Sequence, residues 1–443
     1  MSTCIYWFRS DLRLHDHAPM AQALAKATLL LPVYCHAPDD TAPGPWGFAR
    51  TGPHRQRFIA DTLADLRAAL HRRGSGLLEV RGRPAEALLA VARSVGADDV
   101  YCEDIAQADA AADVAALRGA GLAVHDIWHS SLLDPQRLPY RIADLPRFYT
   151  PFRQSVEKLG VAPREPLAAP DRLPPLPPLR AAALEGIALV GKPDEALANP
   201  PADGDGADDA RSAFPYRSAG YRGGESAGLA HLARYFSGAL PPAYKSTRNR
   251  LSGIATSTKF SPWLATGALS ARTVLQALRA YEARHGASDG SYAIWFELLW
   301  RDFFRFLALR ARALAPVRPA PPAAAASAPP GADAALLRWR EGRTGVALVD
   351  AGMRELAATG FVSNRLRQVV ASFLIHELRG DPRAGAAWFA AQLVDFDPYS
   401  NDGNWQYIAG TGADPRGGRH FNIEKQTRDH DPDGQYRVLW GVE

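Results

Sequence analysis

Residues Thr28-Leu-Leu-Leu-Pro-Val-Tyr-Cys-His36 form an apolar run of strand length, with Ala- and Leu-rich helical stretches on either side at 18–27 and 53–73. Such a run, apolar at almost every position, suits a strand covered on both faces. Working outward, runs at 4–9, 76–81, 98–103 and 122–128 repeat the pattern, and further helical stretches at 84–96 and 108–120 separate them. This alternation predicts an α/β domain over residues 1–130, built on a doubly wound parallel sheet. Neither GxGxxG nor GxxxxGK[ST] follows the first strand, so no motif declares a phosphate site there.

The rhythm stops near residue 130. Pro-Pro-Leu-Pro-Pro at 174–178, Asn-Pro-Pro at 199–201 and Asp-Gly-Asp-Gly at 203–206 mark an interdomain linker, 131–215, with little regular structure from about residue 161. From there the pattern is helical, giving a larger all-helical domain over 216–443, interrupted by a Pro/Ala-rich break at 315–331. With 443 residues, 47% hydrophobic and 22% charged, the chain has the composition of an ordinary globular protein. A formal net charge of only +4 gives no global argument for nucleic acid, so any basic surface is local. Three cysteines without CxxC spacing argue against a disulfide framework or a metal site and suit a reducing cytoplasm. No leader is expected, and no apolar run reaches the roughly 18 residues of a membrane span.

The helical domain holds the chemistry. Asp395-Phe-Asp-Pro-Tyr-Ser-Asn-Asp-Gly-Asn-Trp-Gln-Tyr407 crowds carboxylates, amides and aromatics into thirteen residues and reads as a loop walling a site. Ser363-Asn-Arg-Leu-Arg-Gln368, some 30 residues earlier, supplies arginines that could pair with those acids. Trp295-Phe-Glu-Leu-Leu-Trp-Arg-Asp-Phe-Phe-Arg-Phe306 is apolar on nearly every side, so its helix is expected to be buried. Glu297 and Arg301 stand one turn apart on it, read either as an intrahelical ion pair or as a pocket wall with Trp300 beside them. Ser257, Thr258 and Ser261 precede Pro262, where Ser261 could cap a helix or its neighbours could hold a phosphate.

Six motifs follow in the order and spacing of one family. Trp7-Phe-Arg-Ser-Asp-Leu-Arg-Leu-His-Asp16 resembles the amino-terminal motif of the photolyase/cryptochrome family. Ser257-Thr-Lys-Phe-Ser-Pro-Trp-Leu-Ala-Thr-Gly267, Glu297-Leu-Leu-Trp-Arg-Asp302, Val349-Asp-Ala-Gly-Met-Arg354, Ser363-Asn-Arg-Leu-Arg367 and Asn404-Trp-Gln-Tyr407 continue the resemblance across the chain. It implies FAD buried in the helical domain and a deoxyribodipyrimidine photo-lyase, a carbon–carbon lyase in which reduced, light-excited FAD donates an electron to a cyclobutane pyrimidine dimer in UV-damaged DNA. Tyr244, Ser257, Thr258, Lys259, Phe260, Ser261, Arg301, Asn364, Arg367, Asp395, Asp397 and Asn401 are the implied cofactor contacts. Arg367 is expected to pair with Asp395, and Asn401 to face flavin N5. Glu297, Trp300, Gln368, Tyr407 and Arg248 are the implied lesion and DNA contacts, and Trp405 the implied electron donor next to the flavin.

Departures narrow the branch. Gln368 and Tyr407 replace the Met and Trp of many dimer photolyases and resemble the DASH cryptochromes or closely related photolyases, with a preference for single-stranded DNA expected. The second and third tryptophans of the usual electron chain fall at Pro382 and near Pro329, which leaves Trp388, Trp339 or Tyr407 as substitutes. Gln107 stands where folate-binding relatives carry Glu, with Glu103 and Asp104 out of register. The antenna, methenyltetrahydrofolate or deazaflavin, is therefore expected to be absent. A blue-light photoreceptor signalling through partners is the alternative; Asn401, Glu297, Trp300 and the short stretch after Phe421-Asn422 favour repair. Repair of (6-4) photoproducts would need a lesion-pocket His, and Ser363 stands there. His231 and His376 read as helix-surface or satisfied core residues, and a monomer is expected.

Overall fold

The computed structural model describes residues 2–38, 42–192, 207–315 and 332–442. Five strands fall where the apolar runs place them: β1 Thr3–Phe8, β2 Leu29–His36, β3 Leu78–Arg81, β4 Asp99–Glu103 and β5 Ala123–Ile127. Between them lie α1 Ala18–Lys26, α2 Pro53–His71, α3 Pro84–Val95 and α4 Ala108–Gly119, each end within two residues of expectation. All five strands pair in parallel. One sheet face buries Ile5, Leu31, Val33, Val80 and Val100, the other Cys4, Tyr6, Leu30 and Tyr101. Burial on both faces is why their sequences do not alternate.

The linker is more ordered than its prolines suggest. Within 131–215 lie α5 Tyr149–Lys158 and β6 Ala188–Gly191. β6 pairs antiparallel with β3, so the sheet runs β5-β4-β1-β2-β3-β6 with five parallel strands and one antiparallel edge. Helix α5 was not expected, although Tyr149, Phe152 and Val156 recur at helical spacing and are its buried residues. Nor was the four-residue β6, since a strand that short carries no periodicity. Asn199-Pro-Pro, Asp203-Gly-Asp-Gly and residues 316–331, Pro329 included, lie outside the described residues.

Beyond residue 215 the described chain is helical: α6 Glu225–Tyr235, α7 Leu240–Thr247, α8 Ser261–Thr266, α9 Ala271–His285, α10 Asp289–Leu314, α11 Ala332–Arg340, α12 Ala347–Thr359, α13 Asn364–Ser372, α14 Pro382–Gln392, α15 Pro398–Ala409, α16 Ile423–His430 and α17 Gln435–Leu439. A reciprocal Ser288–Ser291 capping box starts α10, and Asp302 inside it accepts the backbone N–H groups of Leu132 (2.8 Å) and Leu133 (2.7 Å). That carboxylate fastens the start of the linker to the longest helix. Among the described residues, no helix is long and apolar enough to cross a membrane.

Buried charge joins the two halves. Asp16, fully buried after β1, pairs with Arg272 of α9 and Arg164 of the linker at 2.8 Å each. Glu225, at the start of α6, accepts the N–H groups of Leu14 and His15, both at 2.9 Å. Gly267 (φ 71°) ends α8 against the loop after β1, where a Cβ would lie 2.0 Å from the Ser10 carbonyl oxygen. Only glycine permits both that left-handed turn and that approach.

Candidate active site

A cavity of about 320 Å³ in the helical half is walled by residues of α7, α8, α10, α13, α14 and α15 and the loops before α8 and α15. At its buried end, Arg367 of α13 donates to Asp395 (2.9 Å) and, through Nε, to the Val362 carbonyl (2.9 Å). The expected pair is therefore formed, with the guanidinium held from two sides. Asp395 Oδ1 is buried without a partner, an acceptor awaiting a donor in the cavity. Lys259 is 4% exposed and adopts φ 57°, rare for a residue with a Cβ. Its ammonium lies 5.0 Å over the Phe361 ring. Burial lowers the Lys259 pKa to about 8, against the opposing fields of Glu355 and Asp395.

Tyr244, Ser257, Thr258, Phe260, Ser261, Arg301, Asn364, Asp397, Asn401 and Trp405 line the same cavity. Several do so differently from expectation. Ser261 is the first residue of α8, not its cap, a position Phe260 takes without a side-chain bond. The Asp395–Tyr407 segment is a loop only as far as Asp397. Asp397 caps α15 by accepting from Tyr399 N–H (3.1 Å), and Pro398 suits the first helical position. Its other oxygen takes Arg305 of α10 (2.6 Å) and the Ser400 hydroxyl (3.0 Å). Burial pushes the Asp397 pKa up, but Arg305 and Arg301 bring it below the ordinary carboxylate value.

Arg301 and Glu297 do not pair, although one helical turn separates them. Arg301 donates to the carbonyls of Ser130 (2.7 Å) and Leu264 (3.1 Å), and burial lowers its pKa to about 9. Glu297 instead takes Arg248, the residue that ends α7, across the mouth of the cavity. Both side chains remain about a third exposed (32% and 35%), where Asp395 keeps 3%. Burial raises the Glu297 pKa and Arg248 opposes it. Trp300 and Gln368 also wall the mouth. Tyr407 is drawn elsewhere: its hydroxyl accepts from Arg419, and its ring meets Trp300 edge-on at 6.1 Å without lining the cavity.

Trp405 lies against α14 at Gly385, where a Cβ would stand 2.2 Å from the indole. Its ring meets Phe389 at 5.2 Å and Trp339 at 6.3 Å, both edge-on. Pro382 is the first residue of α14, and Trp388 packs against Phe48 (5.1 Å) under the Arg340 guanidinium (4.2 Å). Asn401 donates to the Ala386 carbonyl (3.1 Å). Sequence reading gave no role to Arg305, which grips Asp397, or to Asn404, which lines the cavity. Arg305 had a signal, a second arginine one turn beyond Arg301 in an otherwise apolar helix.

The donor set at the buried end suits a flat, anionic, hydroxyl-bearing molecule: an ammonium, guanidinium groups, hydroxyls and a carboxylate oxygen without a partner. A metal is a poorer fit elsewhere. Asp11, His17 and His129 form a buried cluster with ligand atoms within 4.8 Å of one another. Yet His17 Nδ1 accepts from Met20 N–H (3.3 Å), and His129 Nδ1 faces an Arg13 N–H (3.1 Å). Each ring therefore carries its proton on Nε2, the nitrogen turned to Asp11, which occupies the lone pair a metal would need. Asp11, which also accepts from Tyr6 (2.6 Å), is a hydrogen-bonded carboxylate.

A second cavity, about 240 Å³, lies between α4 and the end of α10. Its two acids are paired: Arg312 grips Asp104 (2.6 and 2.7 Å), and Arg118 pairs with Asp126, while Arg9 donates to the carbonyls of Glu103 (3.2 Å) and Ala110 (3.3 Å). Gln107 precedes α4 without capping it through its side chain and does not line that cavity. His231 is a satisfied core residue, bonded to the Thr258 carbonyl (2.9 Å) and stacked on Trp263, and His376 meets the Arg419 carbonyl (3.1 Å).

Comparison with known proteins agrees with this arrangement. Residues 4–171 match the family model for DNA photolyase, and residues 294–442 match that for the FAD binding domain of DNA photolyase. Cryptochrome DASH of Gloeobacter violaceus is 41% identical over 99% of this chain and 85% of its own length. The solved cryptochrome of a Synechocystis species superposes with a TM-score of 0.85 at 38% identity, over 99% of this chain and 88% of that one. A bacterial class III photolyase from Agrobacterium tumefaciens gives 0.75 at 29%, over 99% and 86%.

Proposed function

Because the chain belongs to the photolyase/cryptochrome family, we propose that it repairs cyclobutane pyrimidine dimers in DNA with blue light, as a cytoplasmic monomer. The observation that carries this reading is that one cavity joins the Arg367–Asp395 end to the Glu297–Trp300 mouth. Reduced FAD, when bound, supplies the photoexcited electron that opens the cyclobutane ring and takes it back afterwards. The chain's own work is to hold and orient. Arg367 and Asp395 would hold the isoalloxazine end, Lys259 with Ser257, Thr258 and Ser261 would take the phosphate and ribityl end, and Asn401 would offer its amide to the ring.

At the mouth, Glu297 accepts a hydrogen bond from a base edge and Trp300 stacks on the dimer. Glu297 reaches a base only after Arg248 lets go, and a DNA phosphate is the natural competitor for that guanidinium. With Tyr407 off the cavity wall, the flipped lesion finds less stacking surface, where each base–aromatic stack is worth about 1–3 kcal/mol. A weak grip favours single strands, in which flipping costs less. Electrons for photoreduction would reach the flavin from Trp339 through Trp405, whose rings meet at 6.3 Å, since Pro382 interrupts the usual chain. No bound antenna is expected, because Gln107 offers no carboxylate and both acids of the nearby cavity are already paired.

The test is repair of a thymine-dimer oligonucleotide, single-stranded and duplex, by reduced protein in blue light, with dark controls and a Glu297→Ala variant. Light-dependent repair that falls in the variant supports the reading, and single strands repaired faster than duplex support the strand preference. A photoreceptor without repair is the second reading, favoured by the closed Arg248–Glu297 pair; no repair of either strand by FAD-loaded, reduced protein selects it.

A further inference from the structure

We infer that Tyr149, in the linker, is a positioning residue for lesion binding: it backs Trp300 so that a single indole face is offered to the dimer. The inference rests on the lesion reading of the mouth and concerns a residue outside every motif that supports that reading.

The geometry is specific. The Tyr149 and Trp300 rings lie 3.8 Å apart, centroid to centroid, and within 13° of parallel. Trp300 lines the cavity and Tyr149 does not, so the phenol occupies the indole face turned away from it. Phe303 meets Trp300 edge-on at 5.9 Å and Tyr407 does so at 6.1 Å, which hems the ring from the sides. Tyr149 is itself fixed. It is 4% exposed, and its hydroxyl donates to the Phe296 carbonyl (2.8 Å), one turn before Trp300 on the same helix. Helix α5 is seated by Phe152, fully buried against Phe303 (5.3 Å) and Phe306 (6.0 Å).

A tryptophan free to turn about χ1 and χ2 loses that freedom when a base stacks on it, and the lost entropy subtracts from affinity. With the Tyr149 ring behind it, Trp300 is already flat. The stack also fixes the depth at which the dimer sits, and therefore its approach to the cofactor. The linker helix thus contributes to the mouth from behind.

Three variants test this: Tyr149→Leu, Tyr149→Phe and Phe152→Leu. Phe152→Leu loosens the same helix without touching Trp300. Dimer affinity is measured against undamaged DNA, together with repair yield at saturating substrate, FAD content and Tm. Tyr149→Leu is expected to weaken dimer binding roughly tenfold with FAD content retained. Tyr149→Phe, which keeps the ring, is expected to stay within about twofold of the parent. Phe152→Leu, which leaves the Tyr149 ring and its bond to Phe296 in place, is expected to lower Tm and to weaken dimer affinity far less than Tyr149→Leu.

Unchanged dimer affinity in Tyr149→Leu would overturn the inference. So would equal weakening by Phe152→Leu, or no rescue in Tyr149→Phe. A second readout stands whether or not dimers are the ligand: ¹⁹F resonances of fluorotryptophan-labelled protein, with Trp300 assigned by Trp300→Phe. One sharp Trp300 line in the parent and Tyr149→Phe, broadened or split in Tyr149→Leu, supports the positioning role. Identical lines in all three refute it. If the parent shows no preference for dimer DNA, the lesion reading fails separately, and the ¹⁹F lines alone decide whether Tyr149 holds the ring.

Discussion

The two ends of the cavity are built on opposite plans. At the buried end, the Arg367–Asp395 pair is held by a second bond to Val362, and Asp395 is almost wholly enclosed. At the mouth, Arg248 and Glu297 close on each other with a third of each side chain in solvent. A guest that stays needs a finished seat, because every buried charge without a partner costs stability while the seat is unfilled. A guest that comes and goes needs groups that can trade partners, and a half-exposed pair exchanges at low cost. The same two charged groups, a guanidinium and a carboxylate, therefore serve structure at one end and exchange at the other.

The sharpest way to break the contrast is to remove one partner at each end. Arg367→Ala strands a buried carboxylate, and loss of one partner of a buried pair costs roughly 3–5 kcal/mol. Because Arg367 is 21% exposed, the low end is expected. Denaturant unfolding and FAD content should both fall. Glu297→Ala should leave unfolding nearly untouched and cost about 1.5–3 kcal/mol in dimer affinity or repair, read as kcat/KM on the oligonucleotide. If Glu297→Ala lost FAD as readily as Arg367→Ala, the ends would not be separable.

A subtler test uses protons. Without cofactor, Lys259 titrates at about 8, and a phosphate beside it would raise that value. The bound form then holds more protons above pH 8, so FAD affinity is level below pH 8 and falls above it, by at most tenfold per unit. Titrating apoprotein with FAD between pH 7 and 10 measures the slope, and Lys259→Met should abolish it. The smallest effect on repair is expected from Trp405→Phe. Chemically pre-reduced protein should repair dimers as before, while flash-induced flavin reduction slows. Trp339→Phe should slow that reduction too, and normal photoreduction in both variants would exclude the route.

Much of this arrangement was legible in the chain. The strands of the α/β half could be read because a strand buried on both faces has no polar positions to blur its ends. The cavity's residues were legible through motifs, and the Arg367–Asp395 pair formed as expected. What escaped reading were partners chosen in three dimensions. Glu297 has arginines at two removes: Arg301, one turn along its helix, and Arg248, on another. Proximity along a helix suggested the first, but Arg301 is consumed by the carbonyls of Ser130 and Leu264. The linker misled in the same way. Its prolines hid β6, and nothing in the spacing of Tyr149 foretold a stack on a residue 151 positions away. The Asp395–Tyr407 segment read as loop because its helix, α15, is amphiphilic in no simple period, and both faces meet polar or aromatic neighbours.

The carboxylate of Asp16 carries a further consequence. Its pKa is held at about 2: burial alone would raise it, and Arg272 and Arg13 more than reverse that. A group held below its unfolded value of 3.8 lends stability above that value and withdraws it as pH falls toward 2. Its cations come from the loop after β1, the linker and α9, so neither half of the chain alone contains the whole arrangement. Cutting the molecule at the end of the linker would part the buried anion from Arg272 and leave that arginine bare in the other piece. Calorimetry should accordingly record one cooperative unfolding event for the intact chain, at neutral pH, where two halves of such different architecture would otherwise be expected to melt in turn.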